Sequence, residues 1–102
     1  MLELRPNCEH CNQLLPPNSL DAMICSFECT FCKNCAQGFL KNVCPNCGGE
    51  FTQRPIRPAK DRRNGNYLGN YPASRKIVYK PVEEHLHSDF ALGLCAIDPE
   101  NR

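Results

Sequence analysis

The chain has 102 residues, with 12 Lys and Arg against 11 Asp and Glu, a formal charge of +1 and nine cysteines. That length allows one small domain with extensions, and no stretch approaches a membrane span, so no membrane partner is expected. Met1-Leu2-Glu3-Leu4-Arg5-Pro6 holds no apolar run of the kind a secretory signal needs. A cytoplasmic location is therefore expected. Thiols stay reduced there, and paired cysteines point to metal rather than to disulfides.

Charge is unevenly spread. Residues 1–50 carry Arg5, Lys33 and Lys41 against Glu3, Glu9, Asp21, Glu28 and Glu50. Residues 51–80 carry eight cations against Asp61 alone, and residues 81–102 carry Arg102 against five acids. The pattern reads as an acidic module, a basic arm and an acidic tail.

Leu2 and Leu4 alternate with polar neighbours and suit a short extended start. Next comes the turn Cys8-Glu9-His10-Cys11, in which His10 reads as a surface residue rather than a ligand. Pro16 and Pro17 forbid regular structure, and Leu14 and Leu15 are expected to pack on the module. Ala22–Cys25 and Glu28–Phe31 read as the two strands of a hairpin around Ser26-Phe27. Ala36, Phe39 and Leu40 have the spacing of one apolar helical face, although Gly38 weakens it. Cys35 would start that helix, where peptide N–H dipoles favour a thiolate. Gly48 and Gly49 follow the last cysteine turn and either let backbone N–H groups approach sulfur or simply end the turn.

Eight of the nine cysteines lie between positions 8 and 47, in the pairs Cys8/Cys11, Cys25/Cys29, Cys32/Cys35 and Cys44/Cys47. A tetrahedral Zn²⁺ takes four thiolates, so four pairs suit two closed structural sites. A forty-residue segment buries too little apolar surface to fold on that alone, and metal supplies the staple. Spacing alone permits sequential sites, with Cys8, Cys11, Cys25 and Cys29 on one metal, or interleaved ones.

The order of the pairs resembles a RING finger with cysteine at all eight ligand positions. Phe31-Cys32-Lys33-Asn34-Cys35 is similar to the RING Phe-Cys-x-x-Cys step, and Cys44-Pro45-Asn46-Cys47 to its Cys-Pro-x-Cys ending. More closely, Leu2–Cys8, Cys25–Cys32, Val43–Gly49 and Tyr71-Pro72-Ala73-Ser74 resemble a family of small bacterial proteins of unknown function. The likeness implies a cross-brace, with Cys8, Cys11, Cys32 and Cys35 on one Zn²⁺ and Cys25, Cys29, Cys44 and Cys47 on another. The expected fold is a small metal-stabilised α+β cross-brace with a short hairpin and one short helix. Residues 1–51 would form the module, 52–70 a basic linker and 71–102 an irregular extension. Lys76–Lys80 reads as one short strand in that extension, and Glu83–Asp89 as a polar stretch.

A structural zinc protein that binds another protein is the expected function. Two all-cysteine tetrahedra leave no open position for catalysis, so no enzyme is expected. Ligase RINGs place Ile or Leu before the second cysteine to contact the conjugating enzyme, whereas His10 stands here. His85, His87 and Cys95 are the remaining possible ligands and read as solvated or packed. The alternative is nucleic-acid binding by the arm 54–80. Arg54, Arg57, Lys60, Arg62, Arg63, Arg75, Lys76 and Lys80 would meet phosphates, with Tyr67, Tyr71 and Tyr79 free to stack. Against it, the arm reads as solvated or folded onto its own acidic module.

Overall fold

Ala22, Met23 and Ile24 form a three-residue apolar strand, β1 (Ala22–Ile24), in the computed structural model, which describes residues 1–102. It pairs antiparallel with β2 (Thr30–Cys32), placing Ala22 opposite Cys32, Met23 opposite Phe31 and Ile24 opposite Thr30. All of β1 and β2 is buried. The strands are thus flanked on both faces, as their unbroken apolar run requires. The predicted hairpin is present, with its second strand starting two residues later than expected. Residues Cys25 to Cys29 form the turn, closed by Cys25 N–H donating to the Cys29 carbonyl at 3.2 Å.

A third strand, β3 (Thr52–Gln53), lies antiparallel on the other edge of β1 and gives the order β2-β1-β3. Both of its side chains are exposed. These two residues fall in the stretch read as linker, because a polar two-residue edge strand carries no hydrophobic alternation. The expected helix after Cys35 is a five-residue π-helical turn, Cys35–Phe39. Leu40 N–H closes it onto the Cys35 carbonyl at 2.8 Å. Ala36 and Leu40 are buried beneath it, as their spacing predicts.

The core is small. Phe31 is fully buried, and its ring meets Phe51 edge-on at 5.3 Å. Leu15, Ala22, Met23, Ala36 and Leu40 join them, with cysteines filling the remainder. Leu15 packs as expected, but Leu14 stays 75 % exposed. Phe31→Ala should remove about 3–5 kcal/mol, since a buried ring leaves both lost transfer energy and a cavity. Denaturant unfolding at fixed zinc concentration measures it, and a loss under 1 kcal/mol would mean that Phe31 is not central.

The C-terminal extension differs from expectation twice. Lys76–Lys80 is extended but is not a strand. It pairs with no strand, and meets the module through Lys80 N–H, which donates to the Glu9 carbonyl at 2.8 Å. Its Val78 carbonyl accepts from Asn7 Nδ2 at 2.9 Å. The stretch read as merely polar, Glu83–Asp89, lies mostly in a helix, α1 (Glu84–Leu92), that runs on into the apolar residues Phe90, Ala91 and Leu92. The Glu83 carboxylate caps it, accepting from His85 N–H at 3.1 Å and Leu86 N–H at 2.6 Å. Only His87 and Ala91 of α1 are buried, so the packed face is two residues long and leaves little periodic signal.

Candidate metal centre

The sheet and the turns bring the cysteine pairs together in the interleaved order. The sulfurs of Cys8, Cys11, Cys32 and Cys35 all lie within 4.8 Å of one another. Cys11 Sγ and Cys32 Sγ are 3.7 Å apart. That matches the edge of a tetrahedron with metal–sulfur bonds of about 2.3 Å. First and third pairs therefore share one centre, as a cross-brace demands, and sequential sites are excluded.

Cys25, Cys44 and Cys47 form the second group, their sulfurs also within 4.8 Å. Cys29 completes the set of four at its margin. It joins Cys25 through the turn, and its sulfur accepts from Asn46 Nδ2 at 3.4 Å, but it stands outside the three-sulfur group. Backbone N–H groups aim at the three clustered sulfurs. Phe27 N–H donates to Cys25 at 3.3 Å, Asn46 N–H to Cys44 at 3.4 Å, and Gly49 N–H to Cys47 at 3.4 Å. Gly48 makes the last of these possible with a φ of +79°, which suits glycine.

Thiols packed this closely without a cation resist ionisation. Burial pushes the Cys35 and Cys44 thiols far above the ordinary cysteine range, and raises Cys29 and Cys32 as well. Cys11 shifts the other way. Burial acts to raise it, but hydrogen bonds from the Gln13 N–H and the neighbouring thiols prevail and lower it. A bound divalent cation reverses this balance and holds the sulfurs as thiolates. The soft donors of both groups fit Zn²⁺, which has no geometric preference of its own.

Two residues inside the cysteine turns link the centres, and the sequence did not single them out. Glu9, in the first turn, is buried, and its carboxylate accepts from Arg5 Nη1 at 2.9 Å and Thr30 N–H at 3.0 Å. It also accepts from Asn46 Nδ2 at 3.3 Å, and Asn46 belongs to the fourth turn. The Asn46 amide thus touches both Glu9 and Cys29. The visible signal was an acid four residues after Arg5, but spacing cannot tell a buried carboxylate from a solvated one.

The other candidate ligands stand apart. His10 stacks on Phe39 with centroids 4.3 Å apart, and its Nδ1 accepts from Val82 N–H at 2.9 Å. His87 Nε2 lies 2.9 Å from the Leu40 carbonyl, while His85 and Cys95 are exposed. The residues His85, His87 and Cys95 form no metal-sized group. Part of the basic arm is internal. Arg54 is 1 % exposed and donates to the carbonyls of Arg5, Leu15 and Pro16. Arg57 donates to those of Leu2 and Tyr71. Neither is free for phosphate.

The family described as "Protein of unknown function (DUF1272)" matches residues 1–57, more than half of the chain. The chain belongs to this family. The matched span holds all eight clustered cysteines together with Glu9, Asn46 and Arg54. "Uncharacterized protein R02474" of Rhizobium meliloti (strain 1021) is 58% identical over 81 residues, covering 79% of this chain and 89% of that protein. No solved structure matches the chain. No helix is long and apolar enough to cross a membrane.

Proposed function

We propose that this DUF1272 protein is a cytoplasmic structural zinc protein, without catalysis of its own, whose two-metal module presents a surface to another protein. The observation that carries this reading is the pair of cysteine clusters in interleaved order. Closed thiolate sites hold a fold rather than activate water.

A ligase role is disfavoured by what covers His10. That position would contact a conjugating enzyme in a RING ligase. Here its ring lies on Phe39 and its Nδ1 is taken by the Val82 N–H of the chain's own C-terminal segment. Pro45 of the fourth turn lies beside Val82, Leu86 and Phe90 of the same segment.

One observation favours nucleic acid as the second reading. The only ion pairs are Arg5 with Glu3 and Arg5 with Glu9. Lys60, Arg62, Arg63, Arg75 and Lys76 are exposed and form no ion pair with the acidic module.

Affinity capture with zinc-loaded protein, repeated after nuclease treatment, separates the two. A specific protein band that survives nuclease supports the first reading. The second requires micromolar, salt-sensitive binding to mixed-sequence RNA or DNA that Arg62→Glu/Arg63→Glu abolishes, because each neutralised phosphate releases counterions. We expect no such binding in an anisotropy titration at physiological salt.

A further inference from the structure

We propose that the second centre is an exchangeable zinc site, with Cys29 as the ligand that detaches and an acidic cleft beside Cys25 as the route of the cation. The proposal rests on the reading of both clusters as zinc sites, and goes beyond it by giving them different behaviour.

The two clusters are not equally assembled. In the first, all four sulfurs stand within 4.8 Å of one another, and Cys8, Cys32 and Cys35 are buried. In the second, three sulfurs do so and Cys29 does not. Each of the three is held by a backbone N–H from its own turn. Cys29 has no such backbone N–H, and its sulfur meets the Asn46 side-chain amide at 3.4 Å and the Cys25 thiol. That amide is itself committed elsewhere, because Nδ2 also faces Glu9 Oε1 at 3.3 Å and Oδ1 accepts from Lys80 Nζ at 3.4 Å. Asn46 thus holds the Cys29 sulfur at the edge of the site.

The turn explains why Cys29 is the odd ligand. Three residues separate it from Cys25, where the other pairs have two. The extra residue places Glu28 at φ +66°, a left-handed conformation disfavoured for a side-chain-bearing residue. Cys29 therefore approaches the metal from a strained turn, whereas Cys44 and Cys47 sit in a turn relieved by Gly48. A thiolate that leaves opens the fourth position, and an incoming donor can take it before the cation departs.

The surroundings supply a way in. A cleft of about 610 Å³ opens beside this centre, lined by Cys25 and Ser26 and carrying Glu28, Glu50 and Glu100. No cationic side chain lines it. Carboxylates around a concave surface raise the local concentration of a divalent cation and speed its arrival. The first centre has no such cleft.

The test uses full-length, zinc-loaded protein under reducing conditions, with pyridylazoresorcinol as chelator. Two phases are expected, with one zinc released at least tenfold faster than the other. N-ethylmaleimide added when one zinc has left should modify Cys25, Cys29, Cys44 and Cys47, detected by peptide mass spectrometry, and spare Cys8, Cys11, Cys32 and Cys35. Cys29→Ser should still bind two zinc and release one faster, whereas Cys44→Ser should bind one. Glu50→Gln/Glu100→Gln should slow reloading of the stripped centre several-fold at low salt. A single release rate for both zinc overturns the proposal, as does first labelling at Cys8, Cys11, Cys32 and Cys35. Protein that never holds zinc would instead overturn the zinc reading beneath it.

Discussion

Chelation of a reduced sample at neutral pH is expected to unfold the N-terminal module, with loss of its ordered circular dichroism and of amide protection in β1 and β2. The reason lies in the composition of the core. Six of the 13 residues in its buried cluster are cysteines. Without a cation those positions offer only thiols, and burial keeps Cys29, Cys32, Cys35 and Cys44 protonated. The strands are two or three residues long, and such pairings have no independent stability in water. Structural zinc in small modules contributes about 10–16 kcal/mol of apparent binding energy, far more than so small a core can supply. Stripping the metal should therefore convert a cooperative fold into a disordered chain, and restored zinc should refold it. Elemental analysis should find about two zinc per chain in the untreated protein. Native spectra that persist at zero zinc would reject this account, as would intact disulfides by mass spectrometry.

Much of the module was legible in the residues for a chemical reason. Thiol pairs at fixed spacing have few uses in a reduced compartment, and their order resembles only a few folds. The hairpin around Ser26-Phe27 was legible too, because Ala22-Met23-Ile24 and Thr30-Phe31-Cys32 are short runs of strand formers. What stayed hidden has no periodicity to show. Strand β3 is two polar residues that acquire their role only by lying against β1. Helix α1 buries only His87 and Ala91, so its sequence reads as a polar stretch to Asp89 followed by a short apolar one rather than as a periodic helix. Lys76–Lys80 has the composition of a strand but meets a metal turn instead of a sheet edge. Glu9 and Asn46 stand in turn positions where any polar residue would pass unnoticed.

Arg54 was the residue most misread from the sequence, and Arg54→Met is expected to destabilise the protein by about 3 kcal/mol. In a list of arm cations it looks like Arg62 or Arg63. In the fold its backbone extends β3, with Arg54 N–H donating to the Ala22 carbonyl at 2.9 Å. Its side chain then runs inward. Nη1 donates to the Arg5 carbonyl at 2.9 Å, and Nη2 to the Leu15 and Pro16 carbonyls at 3.3 and 3.0 Å. No carboxylate pairs with it, and burial lowers its pKa from the ordinary arginine value. The guanidinium nevertheless stays charged, because arginine does not deprotonate in proteins. Its planar fork ties the start of the chain to the Leu15-Pro16-Pro17 loop. Prolines there have no N–H of their own, and Leu15 N–H to the Pro6 carbonyl and Ser19 N–H to the Pro16 carbonyl supply the loop's backbone bonds. Methionine would fill the stem of the site but donate nothing, leaving the Arg5 and Leu15 carbonyls unpartnered at about 1–3 kcal/mol each, while the Pro16 carbonyl keeps the Ser19 N–H at 2.9 Å. Release of a buried charge offsets part of that loss, which brings the net to the stated value. Arg54→Lys should recover only part, because a point charge cannot reproduce the fork. Arg62→Met, at an exposed site, should change stability by less than about 0.5 kcal/mol. Denaturant unfolding of the three zinc-loaded variants decides the matter. Equal stability of Arg54→Met and Arg62→Met would return Arg54 to the basic arm.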